Sequence, residues 1–323
     1  MSLRALELAA FASFTLAVCL PASAQQPGKL PHIGYLSPGA GYPFDSFREG
    51  LRDLGYVDGT NIVIERRSAE GDPDRLRELA VELVELHVDI IVTATTAATQ
   101  AAQHATATIP IVFALADNPT RLGLVTSLAK PGGNITGLTG LMVELTGKRL
   151  ELLKEAVPGV RRVGVLFSAY PFSTAAMKET NEAGTRLGLQ LDIIEVGQPS
   201  ELGPAFAQLS KRKAQALLVL PHPDFVAHRT QLVQLAAKHR LPAIYHLKEF
   251  VEVGGLMSYS PNVAHMSRRA ANYVDKILKG AKPGELAVEQ PTEFEFAVNL
   301  KSAKELRLVL PEALLLRANN VVR

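Results

Sequence analysis

Asp89-Ile90-Ile91-Val92-Thr93-Ala94-Thr95-Thr96 and Ile111-Val112-Phe113-Ala114 each contain a short, continuous apolar run. A strand with one wet face alternates apolar and polar residues. A run that is apolar at every position belongs to a strand covered on both faces, the mark of a parallel sheet under helices. The pattern continues on the N-terminal side. His32-Ile33-Gly34-Tyr35-Leu36 reads as a first strand, and Phe44, Phe47, Leu51 and Leu54 follow at helical spacing until Gly55 supplies a stop. Residues 61–65 (Asn-Ile-Val-Ile-Glu) form a second strand. Asp72-Pro73 then opens a helix, with Asp as cap and Pro in the first turn, and Leu76, Leu79, Leu83 and Leu86 as its buried stripe.

The same pattern restarts after Pro158. Strands are expected at 162–167, 189–196, 216–220 and 243–245, with helices at 171–187, 202–213 and 225–239 between them. Two consecutive strand–helix series predict an α/β chain of two parallel sheets flanked by helices, with a seam near 137–143. A helix at 264–278, an alternating strand at 294–299 and a closing segment at 306–316 are too few for a third domain. They are expected to complete the two sheets, so that several crossovers join the lobes. The expected division is 30–142 with 260–288 in lobe 1, and 143–259 with 289–323 in lobe 2.

Composition narrows the function classes. The 323 residues carry 34 Lys+Arg against 32 Asp+Glu, a formal charge of +2, without the basic excess of a nucleic-acid-binding surface. With 47% hydrophobic and 20% charged residues the chain is globular, and at roughly 100–200 residues per domain its length suits two cores. Cys19 is the single cysteine, so disulfide frameworks, zinc ribbons and iron–sulfur sites are excluded. Arg4, the apolar stretch 8–20, Pro21 and Ala22-Ser23-Ala24 before Gln25 have the layout of a secretory leader over residues 1–24, cleaved after Ala24. A membrane anchor needs about 20 clean apolar residues, and Glu7 and Pro21 leave fewer. Val18 is a poor fit to the small residue that lipidation of Cys19 would require. The expected product is a soluble, cysteine-free protein outside the cytoplasm.

Catalytic motifs are weak. In Ser37-Pro38-Gly39-Ala40-Gly41-Tyr42-Pro43-Phe44, Gly39 and Gly41 fit a dinucleotide fingerprint but Phe44 replaces its third glycine, which leaves a flexible turn at a strand's carboxyl end. Pro131-Gly132-Gly133-Asn134 lacks the Lys-Ser/Thr of a phosphate loop, and no Gly-x-Ser-x-Gly elbow exists. His222, Asp224 and His228 are close in sequence without a recognised metal spacing, so neither metal nor cofactor is expected. The candidates that remain follow strand ends. Thr95 and Thr96 precede a helix, where they either cap it or help hold a carboxylate. Asp117-Asn118-Pro119 is a cap or a polar contact. Ser37, the aromatic pair Tyr170 and Phe172, the His222-Pro223-Asp224 turn and Tyr245 complete the set. The aromatics either stack on a ligand or pack the seam between lobes. Together these residues describe a cleft without a nucleophile.

Longer motifs carry a resemblance. Gly50-Leu51-Arg52-Asp53-Leu54-Gly55-Tyr56, Lys130-Pro131-Gly132-Gly133-Asn134-Ile135-Thr136-Gly137, residues 250–259 (Phe-Val-Glu-Val-Gly-Gly-Leu-Met-Ser-Tyr), Leu278-Lys279-Gly280-Ala281-Lys282-Pro283 and Asn299-Leu300-Lys301 resemble, in order, the ABC-transporter substrate-binding proteins related to the tryptophan/tyrosine-type binding proteins of bacteria. The resemblance covers essentially the whole chain after the leader. It implies the type I periplasmic-binding-protein fold of two Rossmann-like lobes joined by three crossovers, a small ligand trapped between lobes on closure, a partner permease in the inner membrane and no enzyme activity. Some relatives bind aromatic or other apolar amino acids, with hydroxyls and amides on the carboxylate and an acid on the amine. Thr95 and Thr96 match the family's polar turn. Asn118 and His222 stand where relatives often carry acids, so the amine contact would fall to Asp117 or Asp224, or the ligand would be an acid without an amine. The expected protein is a monomer that takes an amino acid or an aromatic or organic acid to an ABC importer. The alternatives are a ligand sensor for a membrane receptor and an exported enzyme on the same scaffold.

Overall fold

The computed structural model describes residues 30–39, 42–169 and 173–323. The expected leader, Tyr170 and Phe172 lie outside the described residues. Residues Pro31–Arg323 form one compact unit.

The first series runs β1 (His32–Ser37), α1 (Phe44–Asp53), β2 (Val63–Ser68), α2 (Pro73–Glu85), β3 (Ile90–Thr93), α3 (Thr96–Ala105), β4 (Ile111–Ala116) and β5 (Ile135–Thr139). Its strands form an all-parallel sheet in the order β2-β1-β3-β4-β5. Ile90–Thr93 and Ile111–Ala116 are buried at every position, as continuous apolar runs demand. Asp72 caps α2 by accepting from the Asp74 and Arg75 amides. The helix ends at Glu85, so Leu86 is 41% exposed and does not extend the buried stripe. At Gly137 the chain takes φ +146°, and a Cβ would collide with the Phe113 carbonyl; only glycine lets β5 lie this close to β4.

The second series runs α4 (Thr146–Ala156), β6 (Arg162–Phe167), α5 (Ser173–Leu187), β7 (Gln190–Glu195), α6 (Leu202–Lys211), β8 (Ala216–Val219), α7 (Pro223–Ala227), α8 (Arg229–Lys238), β9 (Ala243–Tyr245), α9 (Glu249–Glu252) and β10 (Met257–Pro261). The chain then returns to the first sheet with α10 (Val263–Leu278) and ends in β11 (Phe294–Asn299), α11 (Leu300–Glu305), α12 (Glu312–Leu315) and β12 (Asn320–Val322). The second sheet has the order β12-β11-β10-β9-β8-β6-β7. It is parallel except where β11 runs antiparallel to β10, a departure from the all-parallel expectation. The stretch read as one helix over 225–239 is two helices that meet at the non-helical His228.

Three stretches pass between the sheets: 140–145 from β5 to α4, Asn262 from β10 to α10, and 290–293 into β11. Helix α10 belongs with the first sheet. Gly50 of α1 lies so close to the Arg268 carbonyl of α10 that a Cβ there would collide with it, and Ser267 Oγ donates to the Pro43 carbonyl at 2.9 Å. Among the described residues, no helix is long and apolar enough to cross a membrane.

Candidate functional site: a cleft at two strand-order reversals

Where the strand order of an open parallel sheet reverses, the loops at the carboxyl ends of the strands part and leave a crevice. The first sheet reverses between β1 and β3, and the second between β6 and β8. A cavity of about 100 Å³ lies at both reversals. The first sheet contributes Tyr42 after β1, Thr95 and Thr96 after β3, and Leu115 and Asp117 around the end of β4. The second contributes Phe167 and Ser168 at the end of β6, Leu220, Pro221 and His222 after β8, and His246, Leu247 and Glu249 after β9. Met142 and Val143 of the first crossing and Val263 of α10 complete most of an otherwise apolar lining. The cavity is several times the ~10–15 Å³ that one water needs.

The polar lining is ordered by the backbone. Thr95 caps α3, its hydroxyl accepting from the Ala98 amide at 3.4 Å, and Thr96 Oγ1 accepts from the Asp117 amide at 3.0 Å. Each hydroxyl serves the main chain as an acceptor and retains its own proton as a donor. The amino end of α3 adds the positive end of its dipole. Asp117 Oδ1 accepts from the Met142 amide at 2.8 Å. Burial pushes the Asp117 carboxyl up to about 6, against the Met142 hydrogen bond that favours the carboxylate. Burial, with the Arg149 guanidinium and His222 adding to it, holds His246 well below the ordinary imidazole value and hence neutral at pH 7. Burial also raises Glu249 above the usual carboxylate range. Two buried atoms of the lining residues, His246 Nδ1 and Glu249 Oε2, have no hydrogen-bond partner.

Of the residues singled out in the sequence, Thr95, Thr96, Asp117 and His222 meet in this cleft. His222 also caps α7, its Nδ1 accepting from the Asp224 amide at 3.2 Å. Burial lowers its pKa, opposed by the Asp224 carboxylate. Asp224, Asn118, Ser37 and Tyr245 are not among the lining residues. Asn118 takes φ +46°, a left-handed conformation that Asn tolerates. Ser37 is 1% exposed at the end of β1. Tyr245 is fully buried with its ring stacked on Phe250 at 4.6 Å. Glu249, Tyr42 and the crossing residues Met142 and Val143 were not singled out. Only the position of Glu249, just past a strand's carboxyl end, could have marked it. Among the described residues no group of three His, Cys, Asp or Glu side chains is placed to hold a metal.

Two α/β lobes with a cleft at the strand-order reversals of both define a bilobal binding protein. The chain belongs to the ABC transporter substrate binding protein family, whose sequence profile matches residues 38–322. It is 27% identical over 263 residues to a tyrosine-binding protein of Clostridioides difficile, covering 80% of this chain and 75% of that one. An ABC domain of Streptococcus pneumonia crystallised in complex with L-Trp superposes with a TM-score of 0.84 at 26% identity, covering 91% of this chain and all of the other (100%). A conserved domain protein of Vibrio cholerae O1 biovar eltor gives a TM-score of 0.83 at 26% identity, with coverage of 91% and 100%.

Proposed function

We propose that this protein is a periplasmic solute receptor that closes its lobes on an amino acid with an apolar, preferably aromatic, side chain and presents it to the permease of an ABC importer. The observation that carries the amino-acid reading is the buried, unpartnered Oε2 of Glu249, a residue that lines the cleft from the second sheet as Thr95 and Thr96 do from the first. A buried carboxylate oxygen without a donor is costly, and a ligand ammonium group supplies both donor and countercharge. Glu249 then takes the place of the acids missing at 118 and 222. The Thr95 and Thr96 hydroxyls and the amino end of α3 receive the carboxylate, and the apolar lining takes the side chain. The family supports a binding role without turnover, and the leader-like N-terminus supports export. The receptor works as a monomer that carries no cofactor.

A second reading, an aromatic acid without an amine, is favoured by His222, which lines the cleft without an acid's negative charge. A thermal-shift screen of amino acids, their deaminated analogues, sugars and short peptides separates the two. At 100 times its dissociation constant a ligand adds about 2.7 kcal/mol. A rise in melting temperature with L-tyrosine or L-tryptophan and none with the deaminated acids supports the first reading. The reverse pattern supports the second, and no shift with any compound removes both.

A further inference from the structure

Arg149 is an unusual core residue. It lies in the second turn of α4, is 0% exposed, and burial lowers its pKa only to about 10, so it stays charged at neutral pH. Burying a guanidinium costs several kcal/mol unless its donors are satisfied. Two of them meet main-chain carbonyls, one on the first crossing and one in β10 just before the second, and Nη2 donates to the Met142 sulfur at 3.6 Å. Nη1 donates to the Met142 carbonyl at 2.8 Å, in the first crossing, and Nε donates to the Tyr259 carbonyl at 2.8 Å, in the strand that leads into the second. The second crossing is joined to the third by the Asn262 amide, which donates to the Glu293 carbonyl at 2.9 Å. A planar fork with fixed donor directions can hold two such acceptors at a set separation; a lysine cannot.

The same contacts reach the cleft. Thr96 Oγ1 accepts from the Asp117 amide, Asp117 Oδ1 accepts from the Met142 amide, and the Met142 carbonyl accepts from Arg149. Met142 is therefore gripped on its N–H by an acid from the first sheet and on its carbonyl by a cation from the second. Its neighbour Leu141 takes φ +52°, a left-handed conformation strained for a bulky residue, which these two grips hold in place.

We propose that Arg149 is a positioning residue for lobe closure, a clamp that ties the first crossing to the strand that leads into the second, so that the lobes turn about one axis through Met142 and Tyr259. The clamp rests on the reading of the cleft as a closing site but not on the identity of the ligand. It joins the residues that touch ligand to the residues that bend, which makes the hinge, and not the cleft alone, a determinant of affinity.

The test compares Arg149→Lys, which keeps the charge and loses the fork, with Arg149→Met, which keeps much of the volume. Spin labels at Glu78→Cys and Lys178→Cys in a Cys19→Ser background report the distance between lobes in ligand-free protein. The clamp predicts that Arg149→Lys folds, that its interlobe distance distribution is at least twice as broad as wild type, and that its affinity for L-tryptophan or L-tyrosine falls about tenfold. An unchanged distribution in Arg149→Lys overturns the proposal, as does a lower melting temperature in Arg149→Met with the distribution unchanged, which would mark a packing residue. If the probes fail to bind wild type, the functional reading fails while the distance measurement still judges the clamp. In wild type, the Arg149 Nε proton must be protected from solvent exchange as well as the Asn262 amide is. Rapid exchange of that proton overturns the clamp without any variant.

Discussion

The Asp117 carboxylate and the Met142 amide meet at 2.8 Å across the point where the chain leaves the first sheet. This bond fixes the start of a crossing to a residue that also lines the cleft, and it ties a titration to stability. Burial raises the folded-state pKa of Asp117 to about 6, above its unfolded value, so the folded protein binds the proton more tightly than the unfolded chain. The contribution from the neutral carboxyl is therefore present at low pH and is lost as pH rises from about 4 to about 6. Asp117→Asn should flatten the urea-unfolding free energy across that window, by at most about 3 kcal/mol because cleft water screens the charge. An unaltered slope in Asp117→Asn would assign the pH dependence to another group.

Glu249→Gln keeps the shape of the side chain and removes its charge. Loss of one buried, charge-assisted hydrogen bond costs about 1.5–3 kcal/mol, so affinity for an amino acid should fall roughly 10- to 100-fold while that for its deaminated analogue changes little. Isothermal titration of both ligands against both proteins measures the difference. Because burial raises the Glu249 pKa, wild-type affinity for the amino acid should also weaken on acidification earlier than an ordinary carboxylate would cause.

The paired change Thr95→Ala and Thr96→Ala removes two hydroxyls that face the cleft and leaves the Asp117 amide without its acceptor. Stability should drop by about 1–3 kcal/mol from that orphaned amide and the lost cap. Binding of any carboxylate ligand should weaken well beyond this, measured at a temperature where the variant is fully folded. Equal affinity for the two proteins would limit the threonines to a capping role.

Tyr245 offers a contrast. Its hydroxyl is buried without a partner, and its ring is stacked on Phe250 away from the cleft lining. Tyr245→Phe should stabilise the fold by about 1 kcal/mol, a rise in melting temperature of roughly 2 °C, and leave ligand affinity unchanged. A loss of affinity would restore Tyr245 to the binding site.

These residues also show what a sequence discloses. The strands at Ile90–Thr93 and Ile111–Ala116 were legible because burial on both faces leaves a run with no polar position. The break at His228 was not, because Phe225, Val226, Leu232 and Val233 continue one buried face across a single non-helical residue. Thr95 and Thr96 were visible as hydroxyls at a helix start. Glu249 and the nearby Glu252 look alike in the sequence, and only contacts with distant segments bury an oxygen of one of them. Antiparallel β11 could not be read either, since alternation records which face is wet and not which way the strand runs. The fold was written largely in local patterns, and the site in long-range ones.

The return of α10 to the first sheet sets an order of events in synthesis. Ile33, Tyr35, Phe47 and Leu51 share one buried cluster with Ala270, Ala271 and Val274, more than two hundred residues away along the chain. Tyr56 donates to Asp275 at 3.0 Å over a separation of 219 residues. A nascent chain that has finished β5 still lacks the helix that covers α1, so this face of the first sheet cannot be closed until α10 has emerged. Contacts this distant slow folding. Under the export proposed above, a late-arriving cover on the first core would keep the chain unfolded while it is passed across a membrane.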